Sequence, residues 1–260
     1  MRSEAPSTLP QTDLLARRLA VLTPLGPEER ALLLSWQRPS RCHVAGSQIF
    51  GPQNRQQHPK LIVSGWACRE LISANGKRQL LSILLPGDLI HGCANQRALD
   101  RVEVVAISSV QVMSISGLLR EIEDRPDLYA GIARGLSLMS LADEGRFLDH
   151  MVRLGSQPAL QRIASFVIEL YQRCRLIDYV SACSFVMPLT QELLGNALGL
   201  SVVHVNRVMR QLKAERLIDL HGGILKIMDV PGLARLADIT MPEPIGSRCA
   251  NGTLCSRAAG

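Results

Sequence analysis

The apolar positions between residues 42 and 115 fall into short runs separated by turn residues, a pattern typical of β-strands. Six such runs are Gln48–Phe50, 61–63, Ala67–Ile72, 79–85, 102–107 and 111–115. Asn75-Gly76 lies between two of them, and Asn-Gly between apolar runs strongly favours a hairpin. Pro86-Gly87-Asp88 marks another turn. Strands at this spacing predict a β-sandwich or barrel in the first half of the chain.

Helical periodicity replaces this pattern on both sides of the strands. Residues 13–22 and Pro27–Ser35 predict two short helices at the start, the second with proline in its first turn. Residues 126–150 predict a long helix that Asp124 can cap. A further helix is expected directly after it, with Ser156 as its cap.

The long helix carries a narrow apolar stripe along one face. Its residues follow one another at spacings of four, four and three: Leu128, Ile132, Leu136 and Met139. Helix pairing requires such a seam, so we expect these residues to form a dimer interface. The alternative is a helix packed only on its own domain. Glycines at 131, 135 and 145 each cost up to about 1 kcal/mol relative to alanine, which leaves the helix pliable or lets a second helix approach closely.

Two helices joined by a very short turn are predicted between residues 190 and 214. Thr190 is suited to cap the first helix, and Gly199 ends it where a left-handed residue is favoured. Ser201 caps the second helix after a single intervening residue. So short a junction is typical of a helix-turn-helix. Short strands on either side of His221-Gly222-Gly223 then predict a hairpin, the wing, whose turn can reach nucleic acid.

The second of these helices separates into an apolar face and a polar face. Residues 201–213 hold three cations and no anion, and arginine, asparagine or glutamine can make two hydrogen bonds to a base edge. The predicted DNA contacts are Thr190, Gln191, Ser201, Val203, His204, Asn206, Arg207, Arg210, Gln211 and Lys213. Among these, Arg210 and Lys213 are expected to act more through phosphates. The alternative is an ordinary solvated basic face, and the wing that follows favours DNA binding.

Length and composition are consistent with two domains. A chain of 260 residues, 47% hydrophobic and 20% charged, can bury two modest cores. Its net charge of +6 favours an acidic partner without identifying one. No apolar run approaches the roughly 20 residues of a membrane span, and the first residues lack the apolar stretch of a signal peptide. We therefore expect a cytoplasmic protein with no membrane partner.

Catalytic and metal-binding motifs are not found in the sequence. It lacks G-x-x-x-x-G-K, G-x-S-x-G and H-E-x-x-H, so no catalytic residue is assigned and an enzyme is not expected. The seven cysteines form no C-x-x-C pair and no zinc-type spacing, so no metal site is assigned. Cys249 and Cys255 lie near the end of the chain, and their role stays open.

The stretch MPLTQELLGNALGLSVVHVNRVMRQLKAERLIDLHGGILKIMD resembles the DNA-binding region of the Crp/Fnr family, the relatives of the cyclic-AMP receptor protein and the fumarate–nitrate regulator. The elements L-T, A-x-x-L-G-x-S, V-x-R and L-I before a glycine turn carry the resemblance. Upstream, Gly65, Gly76 and residues 85–88 sit where the family's β-roll has its turns. In all, the resemblance covers about residues 10–237.

The resemblance implies an α+β fold with an N-terminal β-roll of the double-stranded β-helix or jelly-roll type, a long dimerisation helix and a C-terminal winged helix-turn-helix. It divides the chain into a cyclic-nucleotide-binding-like sensor domain (1–120), a dimerisation helix and hinge (121–154), a winged helix-turn-helix (155–238) and a tail (239–260). Composition predicts that the tail is disordered. A homodimer is implied, with recognition helices about 34 Å apart on a palindromic operator of double-stranded DNA.

The chain departs from the family pattern at the ligand site. Members that bind cyclic AMP have Gly-Glu where this chain has His91-Gly92, and their phosphate-binding Arg-Ser falls near Asp100-Arg101, where the acid would repel a phosphate. The N-terminal cysteine cluster of the iron–sulfur members is absent, since Cys42 comes first and alone. The β-roll histidines do not by themselves support haem. We therefore expect no cofactor: neither cyclic AMP, haem nor an iron–sulfur cluster.

On the recognition helix, Arg207 occupies the family's base-reading position and Val203 replaces a frequent glutamate. Valine can touch a thymine methyl but cannot accept a hydrogen bond from cytosine. The sequence therefore predicts a sequence-specific transcription regulator, with an unidentified effector or constitutive activity. The alternative is a partner-binding module whose winged helix serves protein contacts. Activation would need a surface for RNA polymerase, which the sequence does not locate, and the operator, target genes and sign of regulation stay open.

Overall fold

The computed structural model describes residues 11–36, 39–51, 59–73, 76, 78–90 and 102–240, with side chains from Leu14 onward. Some expectations concern residues outside this set. These are Asn75, His91-Gly92, Asp100-Arg101, Cys249, Cys255 and the predicted tail beyond residue 240.

The first half of the chain begins with two helices, α1 (Gln11–Leu22) and α2 (Pro27–Ser35), and then forms two antiparallel sheets. The strands described are β1 (Arg41–His43), β2 (Gln48–Phe50), β3 (Lys60–Ser64), β4 (Ala67–Ile72), β5 (Arg78–Leu84), β6 (Leu89–Ile90), β7 (Val102–Ala106) and β8 (Val110–Ser114). One sheet has the order β1-β8-β3-β6 and the other β2-β7-β4-β5. The β-roll prediction is therefore confirmed. The sequence did not reveal β1 and β6, which are too short to show a period.

The interior of the β-roll is filled by small and branched side chains from both sheets. Ile62 and Val112 of one sheet pack with Ala67 and Val104 of the other, and all four are almost fully buried. Gly65, in the turn between β3 and β4, allows the close approach of the turn between β7 and β8, because a Cβ atom there would lie 2.0 Å from the carbonyl oxygen of Ser109. Its φ of +79° also favours glycine.

Two helices follow the β-roll, α3 (Ser116–Asp124) and α4 (Ala130–Ser156). The prediction of a helix over 126–150 is corrected at both ends, since residues 126–129 form a turn and the helix continues to Ser156. Ser156 is thus part of α4, where its hydroxyl donates to the carbonyl of Val152 at 2.8 Å, and is not the cap of the next helix. The helix ends because Gln157 is extended, as the residue before a proline usually is.

The first part of α4 packs on its own protomer. Of the predicted dimer seam, Ile132 and Met139 are buried with α1, α2 and α3, and Leu136 is partly buried against the same cluster. Ile132 and Met139 are thus covered by their own protomer, and their role in a dimer interface stays a prediction. Leu128 is the most exposed of the four. The alternative considered from the sequence, a helix packed on its own domain, describes this half of α4.

The last third of the chain forms the winged helix-turn-helix. Its elements are α5 (Ala159–Arg175), β9 (Ser184–Val186), α6 (Gln191–Leu198), α7 (Val202–Ala214), β10 (Ile218–His221), β11 (Ile224–Ile227) and α8 (Val230–Ala237). The strands form an antiparallel sheet in the order β10-β11-β9. The predicted helix-turn-helix and hairpin are therefore confirmed, whereas β9 and α8 were not predicted.

The β-roll and the winged helix-turn-helix share a continuous apolar core. Trp66 and Ile83 of the β-roll belong to the same buried cluster as Phe185 of β9 and Leu194 of α6. The rings of Trp66 and Phe185 are stacked, with centroids 6.5 Å apart and planes 1° from parallel. The two regions are thus in direct contact within one protomer.

Neither a membrane-spanning helix nor a metal-type cluster is found in the part of the chain that the structure covers. No helix there is long and apolar enough to cross a membrane. Likewise, no three His, Cys, Asp or Glu side chains among those residues are grouped as a metal site would need.

Candidate nucleic-acid interface

The geometry of the helix-turn-helix is set by its two caps and the glycine between them. Thr190 Oγ1 accepts from the backbone N–H of Leu193 at 3.1 Å, and Ser201 Oγ accepts from the N–H of His204 at 3.2 Å. Gly199 adopts the left-handed conformation (φ +64°, ψ +35°) that ends α6. Thr190 and Ser201 were predicted as DNA contacts. Their oxygens act as caps, and their hydroxyl protons can still be donated to a phosphate.

One face of α7 fastens it to the rest of the domain. Val205, Val208, Met209 and Leu212 are buried in the core that also holds Leu194 of α6. Their i, i+3, i+4, i+7 spacing gives one apolar side, which leaves the opposite side of the helix free to face a partner. Val203 lies on that opposite side and is 79% exposed. An exposed valine at the start of a polar helix face contributes nothing to this core.

A chain of hydrogen bonds runs across the polar side of the helix-turn-helix. Asn206 Nδ2 donates to Gln191 Oε1 on α6 at 3.1 Å, and Arg210 Nε donates to Asn206 Oδ1 at 2.6 Å. Three of the predicted contact residues are thus brought together. Both amides and the guanidinium keep further donors for phosphate or base atoms. The arrangement orients the Arg210 side chain before any ligand arrives.

Arg207 is exposed and lies one turn after Val203. No hydrogen bond or ion pair of its side chain is found with any residue that the structure describes. Its five donors therefore stay available, which is the condition for a bidentate contact with a guanine. His204, exposed beside it, likewise has no side-chain hydrogen bond within the described residues.

The end of α7 is neutralised by acids that the sequence pattern did not reveal. Lys213 Nζ is 2.9 Å from Asp219 Oδ1 on β10 and donates to the carbonyl of Leu220 at 3.1 Å. The hydrogen bond from Lys213 lowers the pKa of Asp219. Gln211 Nε2 donates to Glu215 Oε1 at 2.9 Å, an i, i+4 contact that could have been anticipated. Lys213 and Gln211 are therefore already partnered, unlike Arg207.

The predicted wing is a two-residue hairpin beside α7. His221 pairs with Ile224, and Gly222 and Gly223 have φ values of +57° and +77°. Positive φ at both central residues is typical of a type I′ turn, which matches the strand twist. His221 and both glycines are exposed at the tip. The carbonyl of Gly223 accepts from the N–H of Met187, which ties the tip to the end of β9.

Comparisons with known proteins agree with this architecture. Residues 161–236 match the model of the Crp-like helix-turn-helix domain. The chain is similar to the nitrogen fixation regulation protein FixK of Rhizobium meliloti, with 26% identity over 216 residues, 83% of this chain and 90% of that protein. It is also similar to the transcriptional regulatory protein btr of Bordetella pertussis, with 27% identity over 169 residues, 64% of this chain and 68% of that protein. Residues 161–236 are thus a Crp-like helix-turn-helix domain, and these similarities support a regulator of the Crp/Fnr family.

The fold of this chain is shared with solved structures. The structure of FixK2 from Bradyrhizobium japonicum matches with a TM-score of 0.64 at 23% identity and covers 76% of this chain and 96% of that chain. A transcriptional regulator of the CRP family from Thermus thermophilus, TTHB099, matches with a TM-score of 0.57 at 17% identity and covers 76% of this chain and 96% of that chain. At these identities the likeness concerns the fold alone.

Proposed function

We propose that this Crp/Fnr regulator binds double-stranded DNA as a homodimer and reads its operator with Arg207 and Val203 of α7. It acts in the cytoplasm as a regulator of transcription and not as an enzyme. The palindromic operator follows from the two-fold symmetry of the dimer. The single observation that carries the proposal is the exposed side of α7, where Arg207 has no partner among the described residues and Val203 is 79% exposed.

The chemistry of these two side chains specifies different bases. Arg207 can donate two hydrogen bonds to O6 and N7 of guanine, which discriminates by about 1–3 kcal/mol. Val203 has no hydrogen-bonding group and favours the methyl group of thymine. An apolar side chain left exposed at this position reduces solubility without adding to the core, and a contact with thymine gives it a role.

The neighbouring polar residues hold the duplex in register. Arg210, oriented by Asn206 and Gln191, is placed to contact a phosphate, together with the hydroxyls of Thr190 and Ser201. Lys213 has a different role in this proposal. Its contacts with Asp219 and Leu220 connect the recognition helix to β10, so it positions the wing.

We place the dimer seam in the second half of α4, beyond the part buried on its own protomer. Leu141, Leu148 and Val152 are 60%, 58% and 58% exposed, and they follow one another at spacings of seven and four. Gly145 completes the heptad pattern, and a Cβ atom there would meet nothing within 4 Å. Exposed apolar side chains at heptad spacing match the packing of two parallel helices. The occupant of this face is a second copy of the chain.

Genome-wide mapping of bound sites tests the function. We expect the wild-type protein to occupy sites that share a palindromic sequence with half-sites about one helical turn apart. Arg207→Ala should lose these sites, whereas Arg134→Ala, which removes an exposed arginine of α4, should keep them. If the wild-type protein bound no DNA and instead captured a protein through α7, the partner-binding alternative would replace this proposal.

A further inference from the structure

A cleft lies where the β-roll, α4 and α5 meet, away from the recognition helix. It is narrow and opens to solvent. Strand β5, at the edge of its sheet, forms one wall, and the two helices form the others. Its basic and hydroxyl-bearing side chains are Arg69, Ser82, Arg146, His150, Arg153 and Arg173, and its acidic ones are Asp143 and Glu169.

Positive charge exceeds negative charge around this cleft. Arg173 Nη2 is 2.5 Å from Asp88 Oδ2, its Nη1 is 3.2 Å from Glu169 Oε1, and Arg153 Nη2 is 2.8 Å from Glu169 Oε2. Asp88 also pairs with Arg18 at 2.9 Å. Arg146 pairs with Asp143, and Arg69 Nη2 donates to the carbonyl of Leu89 at 3.1 Å. Among the described residues, five arginines thus surround three carboxylates.

Three hydrogen-bond donors at the cleft have no partner among the residues that the structure describes. They are Ser82 Oγ, Arg173 Nε and His150 Nε2, all of them buried atoms. The nitrogen Nδ1 of His150 lies 3.3 Å from Arg153 Nη1, which can only donate. The proton of the neutral imidazole is therefore on Nε2. Unpartnered buried polar atoms are rare in proteins and call for a physical explanation.

This environment disfavours additional positive charge. Burial, followed by the repulsion of Arg173, lowers the pKa of Arg146 to about 10. Burial and the neighbouring Arg153 also lower the pKa of His150, which keeps its ring neutral near pH 7. Excess cations out of water are costly unless anions compensate them. An anion in the cleft would supply both the missing charge and the missing acceptors.

We propose that this cleft binds a small oxyanion with two negative charges, held by Arg146 and Arg173 and by the donors of Ser82 and His150. Both an inorganic phosphate group and a short dicarboxylate have this chemistry. The bound anion would join β5 to α4 and α5, and so fix the winged helix-turn-helix against the β-roll. The step from anion binding to altered DNA affinity rests on the proposed function.

Thermal unfolding with inorganic phosphate, sulfate or succinate tests the site, each compared with sodium chloride at equal ionic strength. We expect at least one dianion to raise the Tm of the wild-type protein by about 5 °C at a hundredfold excess over its Kd. If phosphate and sulfate raise the Tm and succinate does not, the ligand is a tetrahedral oxyanion. If only succinate raises the Tm, the ligand is a dicarboxylate. The variant Ser82→Ala should fold normally and bind the anion with an affinity about tenfold lower.

Three further variants separate this site from general anion binding. Without anion, Arg146→Gln should have a Tm at least as high as that of the wild type. Adding the dianion should not raise the Tm of this variant. Arg134→Gln removes an exposed arginine from the same helix and should keep the rise in Tm with the dianion. Arg207→Ala should also keep the response to the anion, although it binds the operator more weakly and loses preference at one base pair per half-site. The proposal is overturned if no dianion raises the Tm of the wild type more than sodium chloride does. It is also overturned if the dianion raises the Tm of Ser82→Ala and Arg146→Gln as much as that of the wild type. Loss of the response in Arg207→Ala would place the anion on the recognition helix instead.

Discussion

Asp88 in the β-roll accepts a hydrogen bond from Arg173 of α5 at 2.5 Å, although the two residues are 85 positions apart in the sequence. Its other carboxylate oxygen accepts from Arg18 of α1 at 2.9 Å, and the backbone N–H of Leu85 completes the set at 2.7 Å. The Asp88 side chain is only 2% exposed. One carboxylate in the turn before β6 therefore joins the N-terminal helix, the β-roll and α5, the first helix of the winged helix-turn-helix region.

Replacing Asp88 by asparagine should destabilise the fold strongly. The change leaves Arg18 and Arg173 buried with less negative charge near them, which typically costs about 3–5 kcal/mol. Chemical denaturation monitored by circular dichroism gives the free energy of unfolding. Asp149→Asn is a matched control, since Asp149 is exposed on α4, and it should change that free energy by less than about 0.5 kcal/mol. A mild effect at Asp88 would mean that the buried contacts are not essential to stability.

The same carboxylate predicts a dependence of stability on pH. Burial alone would raise the pKa of Asp88, but Arg173, Arg18 and Arg146 outweigh it and hold the pKa below its ordinary value. A depressed pKa in the folded state contributes stability that is present above the unfolded pKa and is lost as the pH falls through the folded pKa. The stability difference between the wild type and Asp88→Asn should therefore be constant near neutral pH and shrink below about pH 4. A difference that grew towards acid pH would reverse this assignment.

Arg210 and Lys213 should differ in the salt dependence of DNA binding. If Arg210 contacts a phosphate, Arg210→Gln lowers the slope of log K against log salt by about 1. Lys213→Gln should change the slope less, because Asp219 already pairs with the ammonium. Fluorescence anisotropy with one operator fragment at several salt concentrations measures both slopes. If the slope decreased equally in the two variants, Lys213 would contact a phosphate as well.

The dimer seam can be tested without disturbing the protomer core. Leu148→Lys places two cations in the proposed interface and should weaken dimerisation by at least about tenfold. Leu34→Lys changes a leucine on α2 that is also at least half exposed, and it should leave the dimer intact. Analytical ultracentrifugation at micromolar concentration distinguishes the two outcomes. A Leu148→Lys protein as dimeric as the wild type would exclude this face as the seam.

The sequence predicts the parts of the fold that local chemistry determines. Thr190, Gly199 and Ser201 specify the helix-turn-helix because caps and left-handed glycines act within a few residues. The paired glycines of the wing act in the same way. The sequence pattern does not predict long-range contacts, since nothing near Asp88 in the sequence indicates that Arg173 is its partner.

The long helix α4 shows where periodicity alone is ambiguous. A repeat of apolar residues identifies a buried stripe but not what covers it, so the pattern through Ile132 and Met139 suggested a seam. In the structure that stripe packs on α1 and its neighbours, and the exposed heptad begins at Leu141. Partnering of Lys213 by Asp219 was likewise invisible, because it depends on the position of β10.

The most direct test of DNA reading by α7 is selection of binding sites from random duplex DNA by the wild type, Arg207→Ala and Val203→Glu. We expect a palindromic consensus for the wild type, loss of preference at one base pair per half-site in Arg207→Ala, and a shift from thymine to cytosine at one position in Val203→Glu. The same consensus from all three proteins would contradict the account.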